Sequence, residues 1–309
     1  MNIKKFLNWQ NKKDLMSFET FYEKNYKKLM YFSYAILLLS ILFLGYKYTT
    51  TGDFIERDIT LKGGVSATIY NENLNLQEVK NYLKENVKDF SVRALTNPNT
   101  EKQTGLIIDV ADITEPKLRE LLQKKITNVN FDDKEEYNPN ITSAQFGQNF
   151  YKGLLLALLF SFILMSIVIF ISFRTFIPSM AVISAALTDI LAAMVVVDLL
   201  GIKLSAAGVV AFLLVIGYSI DTDILLTTRL LKRREEGPFY ERLKHAMMTG
   251  LTMTFAAIAA LLTGYFVAIP IELKQIFLII SIALFFDIIA TYGGNAGILI
   301  SYCKKKNIT

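Results

Sequence analysis

The sequence predicts a polytopic α-helical membrane protein, with six membrane-spanning helices and a small α+β domain between the first and the second. Hydrophobic residues make up 52% of the 309-residue chain and the mean hydropathy is +0.36, the composition of an integral membrane protein. Six apolar stretches approach or exceed the ~20 residues that cross a bilayer. Between the first two of them, residues 47–149 are polar, too long for a loop, and carry their own periodicity.

The elements follow in order. Residues 1–28 interleave Lys4, Lys5, Lys12, Lys13, Lys24, Lys27 and Lys28 with Phe6, Leu7, Trp9, Phe18 and Phe21. That pattern reads either as an amphipathic cytoplasmic segment lying on lipid headgroups or as a solvated tail. It does not read as a cleaved signal peptide, because the apolar run after it is too long and no small-x-small site closes it. Span one is residues 29–46. The segment 47–149 reads as strand, helix, strand, strand, helix, strand: Arg57–Tyr70 interrupted at Gly63–Gly64, Leu76–Val87 capped by Asn75, Phe90–Leu95, Gly105–Val110, Glu115–Ile126 capped by Thr114, and a weak strand within Asn128–Tyr137. This is the order of a ferredoxin-like α+β domain. Residues 150–303 hold the other five spans: Phe150–Ser172, Phe176–Leu199, Ser205–Leu226, Gly250–Ala268 and Gln275–Cys303. Residues 304–309 are a basic tail.

Six spans place both termini on one side. Lys and Arg gather on that side, at the N-terminal segment, Arg174, Lys232–Lys244 and Lys304–Lys306, whereas the opposite short loops hold only Lys203 and Lys274. The positive-inside rule therefore puts both termini in the cytoplasm of a multi-pass cell-membrane protein, and the α+β domain outside. Because the net charge of +5 clusters at span ends, it points to membrane lipids and not to nucleic acid.

The fourth span carries the chemistry. It contains Asp221 and Asp223, followed by Arg229 and Lys232–Arg234. A carboxylate within a span costs about 2.5–3.5 kcal/mol on insertion scales, so two in three residues need a reason. The simplest alternative is a span that ends at Ile220, with both acids in water. Against it, Ile224, Leu225 and Leu226 follow at once. Residues two apart on a helix differ by ~200°, so the two acids face opposite ways. Gly217, Asp221 and Leu225 share one stripe, and Ser219, Asp223 and Thr227 share a second, continuously polar one. Asp189 and Asp287 lie at mid-membrane depth in the third and sixth spans with no Lys or Arg at that level. They are either hydrogen-bonded packing residues or members, with Asp221, Asp223 and Arg229, of a proton or ion relay. Asp198, at the end of span three, reads as a solvated terminus. The glycines of the spans permit close helix approach, some of them toward another subunit.

No catalytic constellation is present. His245 is the lone histidine and lies in a basic segment, so neither a Ser-His-Asp triad nor a metal-histidine site is available. No cofactor motif occurs, since Gly63–Gly64 lacks a following Gly-Lys-Ser. The pair reads as a strand bulge or a close backbone approach. The chain is not read as an enzyme.

One span, an outer domain and five further spans, together with Leu61–Lys62–Gly63–Gly64, Ile216–Gly217–Tyr218–Ser219–Ile220–Asp221–Thr222–Asp223 with Arg229, and Tyr292–Gly293–Gly294–Asn295–Ala296–Gly297, resemble the SecF subunits of the SecDF protein-export complex in their archaeal form. The resemblance covers essentially the whole chain. It implies one six-span half of a resistance-nodulation-division type assembly whose other half is SecD. It also implies partners in the Sec translocation channel and in secreted preproteins, and a role in protein transport coupled to an ion gradient. The chain departs from bacterial relatives, which usually have Asn-Asp-Thr where Asp221–Thr222–Asp223 stands, and an Arg where His245 or Met248 falls. The alternatives are half of an efflux or lipid transporter, or a scaffold with no transport cycle. The small outer domain argues against efflux, and acids at several depths argue against a scaffold.

Overall fold

A computed structural model describes residues 3–97 and 102–308 of the chain. Part of the connection expected between the second and third strands, residues 98–101, lies outside them, as do residues 1–2 and 309. The chain forms two compact units: residues 56–156 with 203–209, and the remainder.

The first unit is the α+β domain. Its elements are α2 (Ile59–Lys62), β1 (Gly64–Ile69), α3 (Leu76–Asn86), β2 (Phe90–Thr96), β3 (Gln103–Ala111), α4 (Glu115–Lys125) and β4 (Tyr137–Thr142). The four strands form one antiparallel sheet in the order β2-β3-β1-β4, the ferredoxin-like arrangement that the element order predicts. Alternate residues of β1 and β3, Val65, Ala67, Ile69, Leu106, Ile108 and Val110, turn one face of the sheet onto Val79 and Leu83 of α3 and Leu118 and Leu122 of α4. Asn75 caps α3, accepting from the amides of Gln77 and Glu78.

Two expectations are corrected here. Arg57–Tyr70 is not one interrupted strand, because residues 59–62 form a helical turn. The Asp58 carboxylate accepts from the Thr60 amide and hydroxyl, and Gly63 ends the turn at φ +89°, a backbone that favours glycine. Gly64 then opens β1 with the close approach that the sequence suggests: a Cβ there would collide with the Val110 carbonyl oxygen. The last strand is residues 137–142, not a stretch within 128–137. The side chains of Asn130, Asp133 and Glu136 each accept a backbone amide within 130–136 and fold that stretch into turns.

The same unit includes residues 203–209. Leu204 pairs with Arg57, donating to Glu56 O at 2.7 Å and accepting from Asp58 N at 3.0 Å. Lys203 forms an ion pair with Asp89, which also meets Lys62 at 2.7 Å.

The second unit is the helical bundle. Its helices are α1 (Ile3–Thr51), α5 (Ala144–Phe173) from residue 157 on, α6 (Phe176–Leu199), α7 (Ala206–Leu231) from residue 210 on, α8 (Phe239–Val267), α9 (Ile271–Ile289) and α10 (Ala296–Lys305). A π-helical turn, Ala290–Asn295, joins α9 to α10. Among the described residues, six helices, α9 and α10 counted as one continuous span, are long and apolar enough to cross a membrane. Helix α1 runs without a break from Ile3 to Thr51, across the boundary after residue 28 where the sequence divides it. Its Tyr22 is buried among Leu226, Leu230, Phe239, Leu243 and Leu299. The expectation for Asp198 is also corrected: it is ion-paired with Lys47, which α1 brings beside the end of α6.

The spans are buried unequally. The most apolar windows of α6, α7 and the α9–α10 span are 56%, 50% and 56% buried, whereas those of α5 and α8 are 11% buried. The inner helices meet through small residues. Gly293, Gly294 and Gly297 lie against Leu29, Ser33 and Met30 of α1, and Gly250 lies against the Tyr292 hydroxyl, so these glycines are spent inside the chain. Nothing within 4 Å would meet a Cβ on Gly217 or Gly201.

Candidate functional site

Three of the inner spans each bring one carboxylate into the bundle. Asp189 of α6, Asp223 of α7 and Asp287 of α9 are all wholly buried. The sequence places these side chains simply. Ser219, Thr222 and Asp223 fall at i, i+3 and i+4 on α7, one face of a helix. Asp287, Thr291 and Asn295 follow at intervals of four, the last two inside the π-helical turn. Such turns are rare and recur at functional sites.

The contacts link the three helices through neutral groups. The Ser219 hydroxyl donates to Asp189 Oδ2 at 2.5 Å. The hydroxyls of Thr222 and Thr291 each lie 3.0 Å from Asp287 Oδ1. The Asn295 amide donates to Asp223 Oδ1 at 2.7 Å. Thr222 Oγ1 is also 2.9 Å from the Ser219 carbonyl. A hydroxyl has one proton, so Thr222 cannot donate to both. If it donates to Ser219, only a proton on Asp287 keeps the Asp287 contact. Asp189 Oδ1, Asp223 Oδ2 and Asn295 Oδ1 have no hydrogen-bond partner among the described residues. All three are buried acceptors, and leaving such groups unmet is costly.

Asp221 and Arg229 do not join this cluster. Asp221 is exposed with Gly217 and Tyr218 on the opposite side of α7. Among the described residues no ion pair joins Asp221 to Arg229, or Arg229 to any of the buried acids. Gly63 and Gly64 belong to the α+β domain and act on its backbone. Of the fourth-span motif, Ser219 and Asp223 reach the cluster, whereas Gly217, Tyr218 and Asp221 face outward.

Thr222, Thr291 and Asn295 were not singled out for chemistry by the sequence. A Thr or Asn in a span is unremarkable until a carboxylate on another helix lies opposite. Arg242 was missed as well. It is buried at the start of α8 and donates from Nη1 to the carbonyls of Arg229 and Leu230, capping the C-terminus of α7. His245, in contrast, is exposed, 3.8 Å from Glu241. Among the described residues no group of three or more His, Cys, Asp and Glu side chains is arranged to hold a metal ion.

The model of the family described as protein export membrane protein SecD/SecF, C-terminal, matches residues 122–305, more than half of the chain. The chain belongs to the SecD/SecF family. Its similarity to SecF proteins extends well beyond that region. It is 37% identical to the protein-export membrane protein SecF of Methanocaldococcus jannaschii, covering 90% of this chain and 96% of the relative. It is 34% identical to that of Methanolacinia petrolearia, covering 90% and 94%. Among solved structures, the crystal structure of SecDF, a translocon-associated membrane protein from Thermus thermophilus, superposes with a TM-score of 0.65 at 18% identity. That match covers 91% of this chain and only 38% of the SecDF chain, and it shows a shared fold. The sequence resemblance to SecF is thus borne out. The signature of the fourth span divides into a buried face, Ser219, Thr222 and Asp223, and an exposed one, Gly217, Tyr218 and Asp221.

Proposed function

We propose that this SecF-type chain is an accessory subunit of the Sec protein-export machinery, working with a SecD partner to help preproteins cross the cytoplasmic membrane. In this reading Asp189, Asp223 and Asp287 form an ion relay. One observation carries the relay: three wholly buried carboxylates, on three spans, are met only by hydroxyls and an amide among the described residues. A fixed cation would lock a carboxylate in its charged form. Neutral donors leave it able to take up and release a proton, and the unpartnered oxygens of Asp189 and Asp223 are where one would arrive.

The exposed face of α7 supports a partner. A carboxylate at the depth of Asp221 is expensive against lipid, so a second membrane subunit carrying a donor would cover Gly217, Tyr218 and Asp221. The solved SecDF chain, of which this chain spans 38%, has room for such a half. Both termini lie in the cytoplasm by the Lys and Arg distribution, which puts the α+β domain on the outer side, where it meets the translocation channel and the emerging chain.

The test is export into inverted membrane vesicles, with and without a proton gradient, using protein assembled with SecD. Asp→Asn keeps size and hydrogen bonding but cannot titrate. Asp189→Asn, Asp223→Asn or Asp287→Asn should lower gradient-dependent export roughly tenfold or more while assembly persists. Full gradient-dependent export in all three would eliminate the relay and leave a packing role.

A further inference from the structure

The sheet of the α+β domain has two edges, and they are not alike. The Ala111 amide donates to Asp89 O at 3.1 Å, so Asp89 and Ala111 are a hydrogen-bonded pair of the antiparallel ladder. Pairs two residues on, Ser91–Asp109 and Arg93–Ile107, are hydrogen-bonded by the same alternation. The backbone groups of Phe90, Val92 and Ala94 therefore point away from β3, off the edge of the sheet. Lys203 confirms the direction, because its ammonium meets the Phe90 carbonyl at 3.2 Å from that side. The N–H of Phe90 and both backbone groups of Val92 and Ala94 have no partner among the described residues.

At the opposite edge, Tyr70 N donates to Glu136 O at 2.9 Å, so Tyr137, Pro139 and Ile141 of β4 point outward. There the Tyr137 amide is already used by Asp133 O at 2.8 Å, and Pro139 has no N–H. That edge offers one donor, Ile141. Natural sheets blunt edges with proline and with turns that consume donors. β4 is blunted in both ways. β2 has no proline, its Ala94 and Thr96 are exposed and small, and it is closed only at the Phe90 end by Lys203 and Asp89.

We infer that the open edge of β2 is a docking strand for an extended, unfolded polypeptide, which adds to the sheet as a fifth strand. The recognition is through backbone groups, since the side chains of Phe90 and Val92 pack against the domain core. Such a site does not discriminate sequence, which suits a chain of arbitrary composition. Four residues, Phe90, Val92, Ala94 and Thr96, present outward groups, a short edge next to the ~1,000 Å² that holds two folded domains together. A short, one-end-closed edge fits transient capture of a moving chain. The inference rests on the export reading above, with the translocating preprotein as the polypeptide.

The test uses the full chain with its membrane partner, and a secretory protein stalled in transit. A photo-crosslinker replaces Thr96 beside the open edge, or Asn140 beside the blunted one. Crosslinks to the stalled chain are expected from position 96 and not from 140. Ala94→Pro deletes an outward donor and leaves the ladder to β3 intact, copying Pro139. It should lower the position-96 crosslink roughly fivefold, the worth of one net hydrogen bond. Arg93→Pro, which deletes a ladder donor, shows what damage to the sheet looks like in protease resistance. The inference is overturned if position 96 yields no crosslink, if it captures the partner subunit or a second copy without substrate, or if Ala94→Pro changes nothing. Vesicle export is measured in the same samples. Export that depends on the protein, with a silent edge, sinks this inference alone, whereas export indifferent to the protein sinks the export reading itself.

Discussion

The acids of the α+β domain and the acids of the bundle are handled in opposite ways. Asp109 is nearly buried, and Arg93 meets it at 2.5 Å while Ser66 donates at 2.6 Å. Asp89 is held between Lys62 and Lys203. Each is ion-paired, and the pairing ties two segments of the domain together. Asp189, Asp223 and Asp287 are more deeply buried, yet their described partners are Ser219, Thr222, Thr291 and Asn295. In a bundle that must close its helices on small residues, a long cationic side chain has little room, and hydroxyls satisfy a carboxyl without fixing its charge. Ion pairs hold the acids of the α+β domain, and neutral donors meet those of the bundle.

The largest expected effect that tests this contrast is in the bundle. Asp287→Leu should strand the hydroxyl of Thr291 among apolar neighbours, costing up to about 3 kcal/mol for a buried group, while the Thr222 hydroxyl keeps the Ser219 carbonyl. Asp287→Asn should keep those contacts. The yield of assembled protein after detergent extraction should fall for Leu and hold for Asn. Equal losses in both would mean that the charge itself holds the bundle, and the contrast with the α+β domain would collapse.

A smaller effect is expected at Asp109. Asp109→Ala removes the partner of Arg93, a guanidinium largely out of water, and should cost about 2 kcal/mol of local stability. Hydrogen exchange of β1 and β3 amides in the full chain measures it. Unchanged protection there would show that the pair is not what holds the sheet.

The smallest effect belongs to Asp89. Burial pushes its carboxyl up, but the hydrogen bonds from Lys203 and then Lys62 outweigh this and hold it below its ordinary value. A carboxyl lowered on folding stabilises the fold above its unfolded value and loses that contribution as pH falls through the folded one. The window is thus below about pH 4, the unfolded value of an aspartate. With both side chains partly solvated, Asp89→Asn should cost ~1 kcal/mol or less at neutral pH. The difference from the parent chain should shrink to nothing in hydrogen exchange at the acid end. A difference that persists in acid would point to packing instead of charge.

Apolar run length and periodicity were enough to read six spans and the strand–helix order of the α+β domain, because both follow from local side-chain spacing. Where local capping chemistry competed, the reading slipped: Asp58 and Gly63 made a helical turn out of what alternation reads as a strand, and the turns at 130–136 displaced β4. The helical repeat also required Asp221 and Asp223 to face opposite ways. Which of them enters the protein is not a property of one helix. It depends on Asn295, seventy-two residues further on, which the π-helical turn aims at Asp223. In the same way Asp189 becomes part of a cluster only because Ser219 lies across from it. A lone carboxylate in a span announces a cost that must be met, and the sequence alone shows that cost. The groups that meet it come from other helices, so only tertiary packing decides whether it is met by a cation, by a hydroxyl, or by a surface waiting for another subunit.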